Sequence, residues 1–311
     1  MLFLAKLIIP YPVKGFLSAF VIIFIIISRP AHGFTTGALQ NRDVMVIFEE
    51  PLARVAGEIA SLYQILKRDL EESFRWPIDF IPTIVLFNDH SRFQGTVDSD
   101  LIVAYAVSDR DLIVIDYSRM TMAPFTIEAT LKHELCHLLL HRHIQDENLP
   151  KWLDEGVAQW ASGGLADIIL DKKQSELDKA IHRGRYIPFR SIADNFPTDR
   201  THFILAYEQS QSLIAYMMRE YGREALLQVL SCLKDGKNIE EAVQTVYAIS
   251  FEKLESRWCN NLKNQATWLL ILTNNIYEIL FSITALALIL GFIRVMIRKR
   301  AYSRYEEEDD V

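Results

Sequence analysis

The sequence predicts an α+β fold, with a mixed sheet in the N-terminal part followed by a helical C-terminal part and a closing transmembrane helix. Three observations carry this expectation. Short runs rich in β-branched and aromatic residues, separated by polar turn signals, all lie before residue 117. From Thr126 onward the apolar residues recur with helical rather than alternating period. Finally, Ile276 to Ile297 is almost wholly apolar and about long enough to span a bilayer. Strands first and helices afterwards is the layout of an α+β domain.

Taken in order, residues 1–33 carry Lys6 and Lys14, the apolar run Gly15 to Ile27, and small residues at Ala31 and Gly33. A positive start, an apolar stretch and a small-residue end read as a secretory signal or an uncleaved signal anchor, and either exports the chain beyond it. Val44–Phe48 reads as a strand and 51–73 as an amphipathic helix with Leu52, Val55, Ile59, Leu62 and Leu66 on one face. Ile81–Phe87, Leu101–Val107 and Leu112–Asp116 read as further strands. Asn88, Asp89 and Ser91 read as a loop, and Ser108–Asp111 as a turn.

Thr126 is a suitable N-cap for a helix running through His133 to about His141, and Pro150 opens a second helix that Gly163-Gly164 closes. Later helices are expected at about 172–183, 203–221, 223–234, 238–247 and 251–264. The apolar span near the end is followed at once by Arg298-Lys299-Arg300 and Arg304. By the positive-inside rule that tail is cytoplasmic. The expected organisation is therefore a signal or anchor over 1–33, an extracytoplasmic domain over 34–266, a transmembrane helix over 275–297 and a cytoplasmic tail over 298–311. This is a single-pass membrane protein once the signal is cleaved. A net charge of −7, with no basic cluster outside the extreme C-terminus, argues against nucleic acid as a partner.

Leu131-Lys-His-Glu-Leu-Cys-His137 holds the pattern H-E-x-x-H. On a helix, positions four apart share a face, so His133 and His137 can aim both imidazoles at one metal ion. Glu134 lies about 100° around the helix, where it can serve as a base without filling the coordination sphere. A catalytic zinc site keeps three protein ligands and one open position. Two residues compete for the third place. His143 has the spacing of a three-histidine pattern, but that pattern needs Gly where this chain has Leu140, inside a helix-favouring run. Glu155, near the start of the Pro150 helix, is the better placed of the two. Cys136 within the motif reads as a core thiol, and Asp154 as a helix-start carboxylate rather than a ligand.

The motif followed by Leu149-Pro-Lys-Trp-Leu-Asp-Glu155-Gly-Val-Ala158 resembles the gluzincins, in particular the bacterial peptidase MA-like domains. The resemblance covers about 42–264. It includes Ala104-Tyr-Ala106, Ile187 to Ile192, Ala206 to Ser210 and Trp258. It implies a zincin-like fold and Zn²⁺ held by His133, His137 and Glu155. It also implies that Glu134 shuttles a proton during attack on the carbonyl of a peptide or protein substrate. Tyr207 is the implied oxyanion donor, with His202 second. The strand Leu112–Ile115 is the expected cleft edge against which an extended substrate lies. Position 159 is Gln where the thermolysin-type pattern has a supporting Asp, so the partners behind the ligands are not implied. The alternative function is an inactive zincin scaffold that binds a partner or peptide.

Overall fold

The computed structural model describes residues 36–97, 99–120, 125–163, 175–274 and 276–309, with side chains for all of these except His182, 266–279 and 297–309. The signal segment expected at 1–33 lies outside the described residues. The chain forms two compact units, Met1–Trp258 and Cys259–Val311.

The first unit opens with β1 (Thr36–Gln40), β2 (Met45–Glu49), α1 (Ala53–Phe74), β3 (Thr83–Phe87), α2 (His90–Gln94), β4 (Ala104–Val107) and β5 (Leu112–Asp116). The strands form one five-stranded sheet in the order β1-β2-β3-β5-β4. It is mixed, as expected: β2, β3 and β5 run parallel, and β1 and β4 pair antiparallel at the two margins.

The central strands are buried on both faces, which is why Ile84-Val85-Leu86-Phe87 and Leu112-Ile-Val-Ile115 read as unbroken apolar runs. Val85, Phe87, Leu112 and Val114 form one face of the core together with Phe93. Phe93 also explains why the stretch after Asn88 is a short helix instead of the expected loop. The Asp89 side chain accepts from the Ser91 N–H at 2.8 Å, capping α2, and Phe93 then points into that core. β1 has no apolar run to announce it. Its Gly37 sits opposite Phe48, where an added Cβ would lie 2.4 Å from the Phe48 ring, so the pairing depends on the missing side chain.

The expectation that Leu112–Ile115 forms the cleft edge is corrected here. β5 lies between β3 and β4, and every one of its residues is buried. The free edge on that side is β4. Chain order placed β5 next to the site helix, but strand order decides which backbone keeps unpaired N–H and C=O groups.

The helical part comprises α3 (Ile127–His143), α4 (Lys151–Ala161), α5 (Glu176–Arg183), α6 (Arg200–Tyr221), α7 (Arg223–Lys234), α8 (Ile239–Tyr247) and α9 (Phe251–Asn274), the last running on into the second unit. Thr126 caps α3 as expected, its hydroxyl accepting from the Ala129 N–H. From His133 to Leu140 every residue of α3 is buried, so the helix is core all round. α4 and α6 approach so closely that a Cβ on Gly156 would stand 2.7 Å from both the Ile214 Cγ1 and the Ser210 carbonyl oxygen. Behind α4, Trp152 packs on Phe189 and Phe251, with ring centroids 5.1 and 5.3 Å away. Trp258 packs on Phe189 at 5.2 Å.

The second unit contains α10 (Ile276–Asp309). Its described side chains expose large apolar groups such as Leu280, Phe281, Ile283, Leu288 and Phe292. Among the described residues no helix is long and apolar enough to cross a membrane, so the span expected at 275–297 is not met within them.

Candidate metal centre

Helical spacing alone brings His133 and His137 together. Both lie on α3 and are buried, and their Nε2 atoms are 3.1 Å apart. The turn after α3 returns the chain at Pro150, and α4 then presents Glu155 across from them. Glu155 Oε2 is 3.5 Å from His133 Nε2 and 3.7 Å from His137 Nε2. A tetrahedral zinc with bonds near 2.0–2.1 Å sets its ligand atoms roughly 3.4 Å apart, so these separations suit such an ion.

The donor chemistry agrees. Glu155 Oε2 is buried and has no hydrogen-bond partner, although it faces two imidazoles. Two nitrogens and one carboxylate oxygen suit a zinc-type transition ion better than the hard cations, which take oxygen ligands. Among the described residues these three are the group that could hold a metal. His143 does not join them. Its Nε2 is 3.0 Å from the Pro77 carbonyl oxygen, and its ring packs 4.9 Å from Trp76.

Asp154 differs from the expectation of a bland helix-start residue. It is 2 % exposed, and its Oδ1 is 2.6 Å from His137 Nδ1, fixing the ring that offers Nε2 to the site. Its other oxygen is 3.2 Å from Lys151 Nζ and 3.4 Å from His141 Nε2. Burial opposes its charge, but His137, Lys151 and His141 hold the carboxyl well below the usual carboxylate range. Asp154 therefore supplies from the adjacent position the support that Gln159 does not. Sequence reasoning also passed over Lys151. Its ammonium is 2.8 Å from Glu155 Oε1, leaving Oε2 as the atom that faces the histidines. Burial works against that ammonium too, yet Glu155 and Asp154 keep it charged and its pKa well raised. The signal for both residues was their place in the first turn of the helix that carries Glu155.

Glu134 is buried beside the pair, with its carboxyl pushed up to about 7. The main cause is burial, to which Glu155 and Asp154 add, while His133 and Lys151 pull the other way. Tyr207, on α6, is half-buried and lines the same cleft as Glu155, and burial together with the Glu155 charge raises its pKa well above the ordinary value, so the structure brings it to the site. His202 is turned away towards Asp199, 2.8 Å from its Oδ1, and is largely exposed. Together these residues form the floor of a cleft of about 440 Å³ whose rims are 99–108 and 195–203. Ala104, Tyr105 and Ala106 of β4 line it, so the edge strand borders the site directly.

The arrangement places a candidate metal site, a proton-transfer group and a phenolic donor beside an open strand edge. A family model described as the Peptidase MA superfamily matches residues 81–264, more than half of the chain. The similar solved structures include two of a variant M1 zinc metallopeptidase from Deinococcus radiodurans. One is 16 % identical with a TM-score of 0.42, covering 73 % of this chain and 52 % of the other. The second, bound to a Tyr-Ser-Ala substrate, is 15 % identical with a TM-score of 0.39, covering 75 % and 51 %. The chain thus spans about half the length of these enzymes. No curated protein matches it.

Proposed function

The chain belongs to the Peptidase MA superfamily, and from that premise we propose that it is a zinc-dependent peptidase acting on peptides or proteins outside the cytoplasm. The observation that carries this is the buried His133–His137–Glu155 triad with Glu134 beside it. Zinc held there would supply Lewis acidity, polarising a carbonyl oxygen and acidifying water.

The chain's own residues do the rest. Glu134 accepts a proton from the attacking water and passes it to the leaving amine, a task suited to a carboxyl whose pKa lies near neutrality. Tyr207 stays protonated, because burial and the Glu155 charge raise its pKa well above the ordinary value. It can therefore donate a hydrogen bond to a developing oxyanion. Asp154 and Lys151 hold His137 and Glu155 in place. The β4 edge offers backbone hydrogen bonds to an extended substrate. A scaffold that only binds would have no chemical need for Glu134.

Membrane attachment is part of the same proposal. It is supported by the apolar run Ile276–Ile297, by the cations that follow it, and by the exposed apolar side chains of α10.

Zinc content and turnover of a peptide pool test the activity together. Wild type is expected to carry about one zinc per chain and to cleave. Glu155→Ala is expected to lose zinc and activity, Glu134→Gln activity alone, and His143→Ala neither. A zinc-loaded wild type no more active than Glu134→Gln would make the binding-scaffold reading the better one.

A further inference from the structure

Resting on the proposed zinc peptidase site, we infer that Lys151 is a positioning residue that withholds the distal oxygen of Glu155 from the metal. Glu155 then offers one oxygen only, and the cleft side of the site stays open. The two oxygens of this carboxylate have different surroundings. Oε2 is buried without a hydrogen-bond partner, 3.5 Å from His133 Nε2 and 3.7 Å from His137 Nε2. Oε1 is 2.8 Å from the Lys151 ammonium. A carboxylate can bind a metal through one oxygen or both, and zinc accepts four or five ligands. The choice between the two modes turns on what else competes for Oε1, and here that competitor is Lys151.

The cation is held in place from several directions. Lys151, Asp154 and Glu155 stand at i, i+3 and i+4 in the first turn of α4, so they share a face. Asp154 Oδ2 takes the ammonium from the other side at 3.2 Å. The Lys151 backbone N–H donates to the Ala193 carbonyl oxygen, which ties down the start of the helix. The side chain lines the cleft together with Glu134, Glu155 and Tyr207. Burial opposes its charge, but Glu155 and Asp154 outweigh burial and keep it an ammonium through neutral pH. This cation has two opposed effects. It repels a metal ion held by the triad, which lowers affinity. It also occupies Oε1, which leaves room beside Glu134 for water and a substrate carbonyl. A residue that merely braced Glu155 would affect affinity in the other direction, because losing a brace weakens a metal site.

The test compares full-length wild type with Lys151→Met, Lys151→Ala and Lys151→Arg. Zinc affinity is read by competition with a chromophoric chelator, and coordination by the visible spectrum of the cobalt(II)-exchanged protein. Lys151→Met and Lys151→Ala should bind zinc about tenfold tighter or more and show a cobalt spectrum altered from that of wild type. Both should turn over peptides about 10- to 100-fold more slowly. Lys151→Arg keeps a cationic donor for Oε1 and should restore the wild-type spectrum and affinity. Two charge-removing variants are used so that one failing to fold leaves the other to decide. Weaker or unchanged zinc binding on loss of the ammonium, or an unaltered cobalt spectrum, would overturn the inference and make Lys151 a brace. An Lys151→Arg protein that matches Lys151→Met would also overturn it. Affinity and spectrum need no turnover, so a wild type that binds zinc but cleaves nothing would end the peptidase reading and still decide this one. A wild type that binds no zinc would overturn both.

Discussion

The behaviour of the metal site turns on side chains that never touch the ion. Asp154 fixes the His137 ring through Nδ1, so Asp154→Asn is expected to weaken zinc binding about 10- to 100-fold without removing a ligand. Competition against a chromophoric chelator measures this, and unchanged affinity would show that helix packing alone orients the ring. His141 gives a pH signature. Burial disfavours its charge, but hydrogen bonds and charge from Asp154 and Asp146 prevail and raise its pKa from 6.5 to about 9. A raised folded-state pKa contributes stability that is complete below the unfolded value and fades as pH climbs through the folded one. The stability deficit of His141→Gln, followed by denaturant midpoints, should therefore be full near pH 6 and shrink between about 6.5 and 9. His133, Glu134 and His137 were legible in the sequence because helix periodicity alone puts them together. Asp154 and Lys151 were not, because their roles depend on how α4 docks against α3.

At the scale of elements, the contact between α4 and α6 positions both Glu155 and Tyr207. Gly156 permits it, since a Cβ there would meet the Ser210 carbonyl and Ile214 at 2.7 Å. Backbone cannot retreat as a flexible side chain would, so Gly156→Ala is expected to cost about 1–3 kcal/mol. Equilibrium urea unfolding would show this as a lower midpoint with an unchanged slope. A midpoint equal to wild type would mean that α6 shifts at no cost. The other segments that resembled the family gain roles from the same packing. Gln209 exchanges two hydrogen bonds with the Ile187 backbone, each 2.9 Å. Glu208 accepts from Leu177 and Ser175 at the start of α5. The element boundaries followed period and caps closely, as with Thr126, Pro150 and the capping box at Asn238. The elements that escaped were β1 and α2, one lacking an apolar run and the other only five residues long.

For the whole molecule, the prediction concerns attachment. The proposed anchor predicts that full-length protein stays with the membrane through an alkaline carbonate wash and needs detergent for release. Protease applied outside cells with an intact cytoplasmic membrane should degrade the unit holding the metal site and spare a C-terminal tag. Release by carbonate would remove the anchor from the proposal without touching the site, because the His–His–Glu cluster lies wholly within Met1–Trp258.

The sequence by itself determined the order of the longer elements, the helical pair of imidazoles, the base beside them and the family, because each rests on periodicity or on a contiguous motif. Only the tertiary structure decided the rest. It made β4 rather than β5 the open edge and Asp154 the partner of His137, and it set Glu155, which the sequence already favoured over His143, against the two imidazoles. The physical reason is common to all three. Strand order and helix docking are set by how buried apolar faces fit together across distant parts of the chain, and spacing along the chain carries no record of that fit.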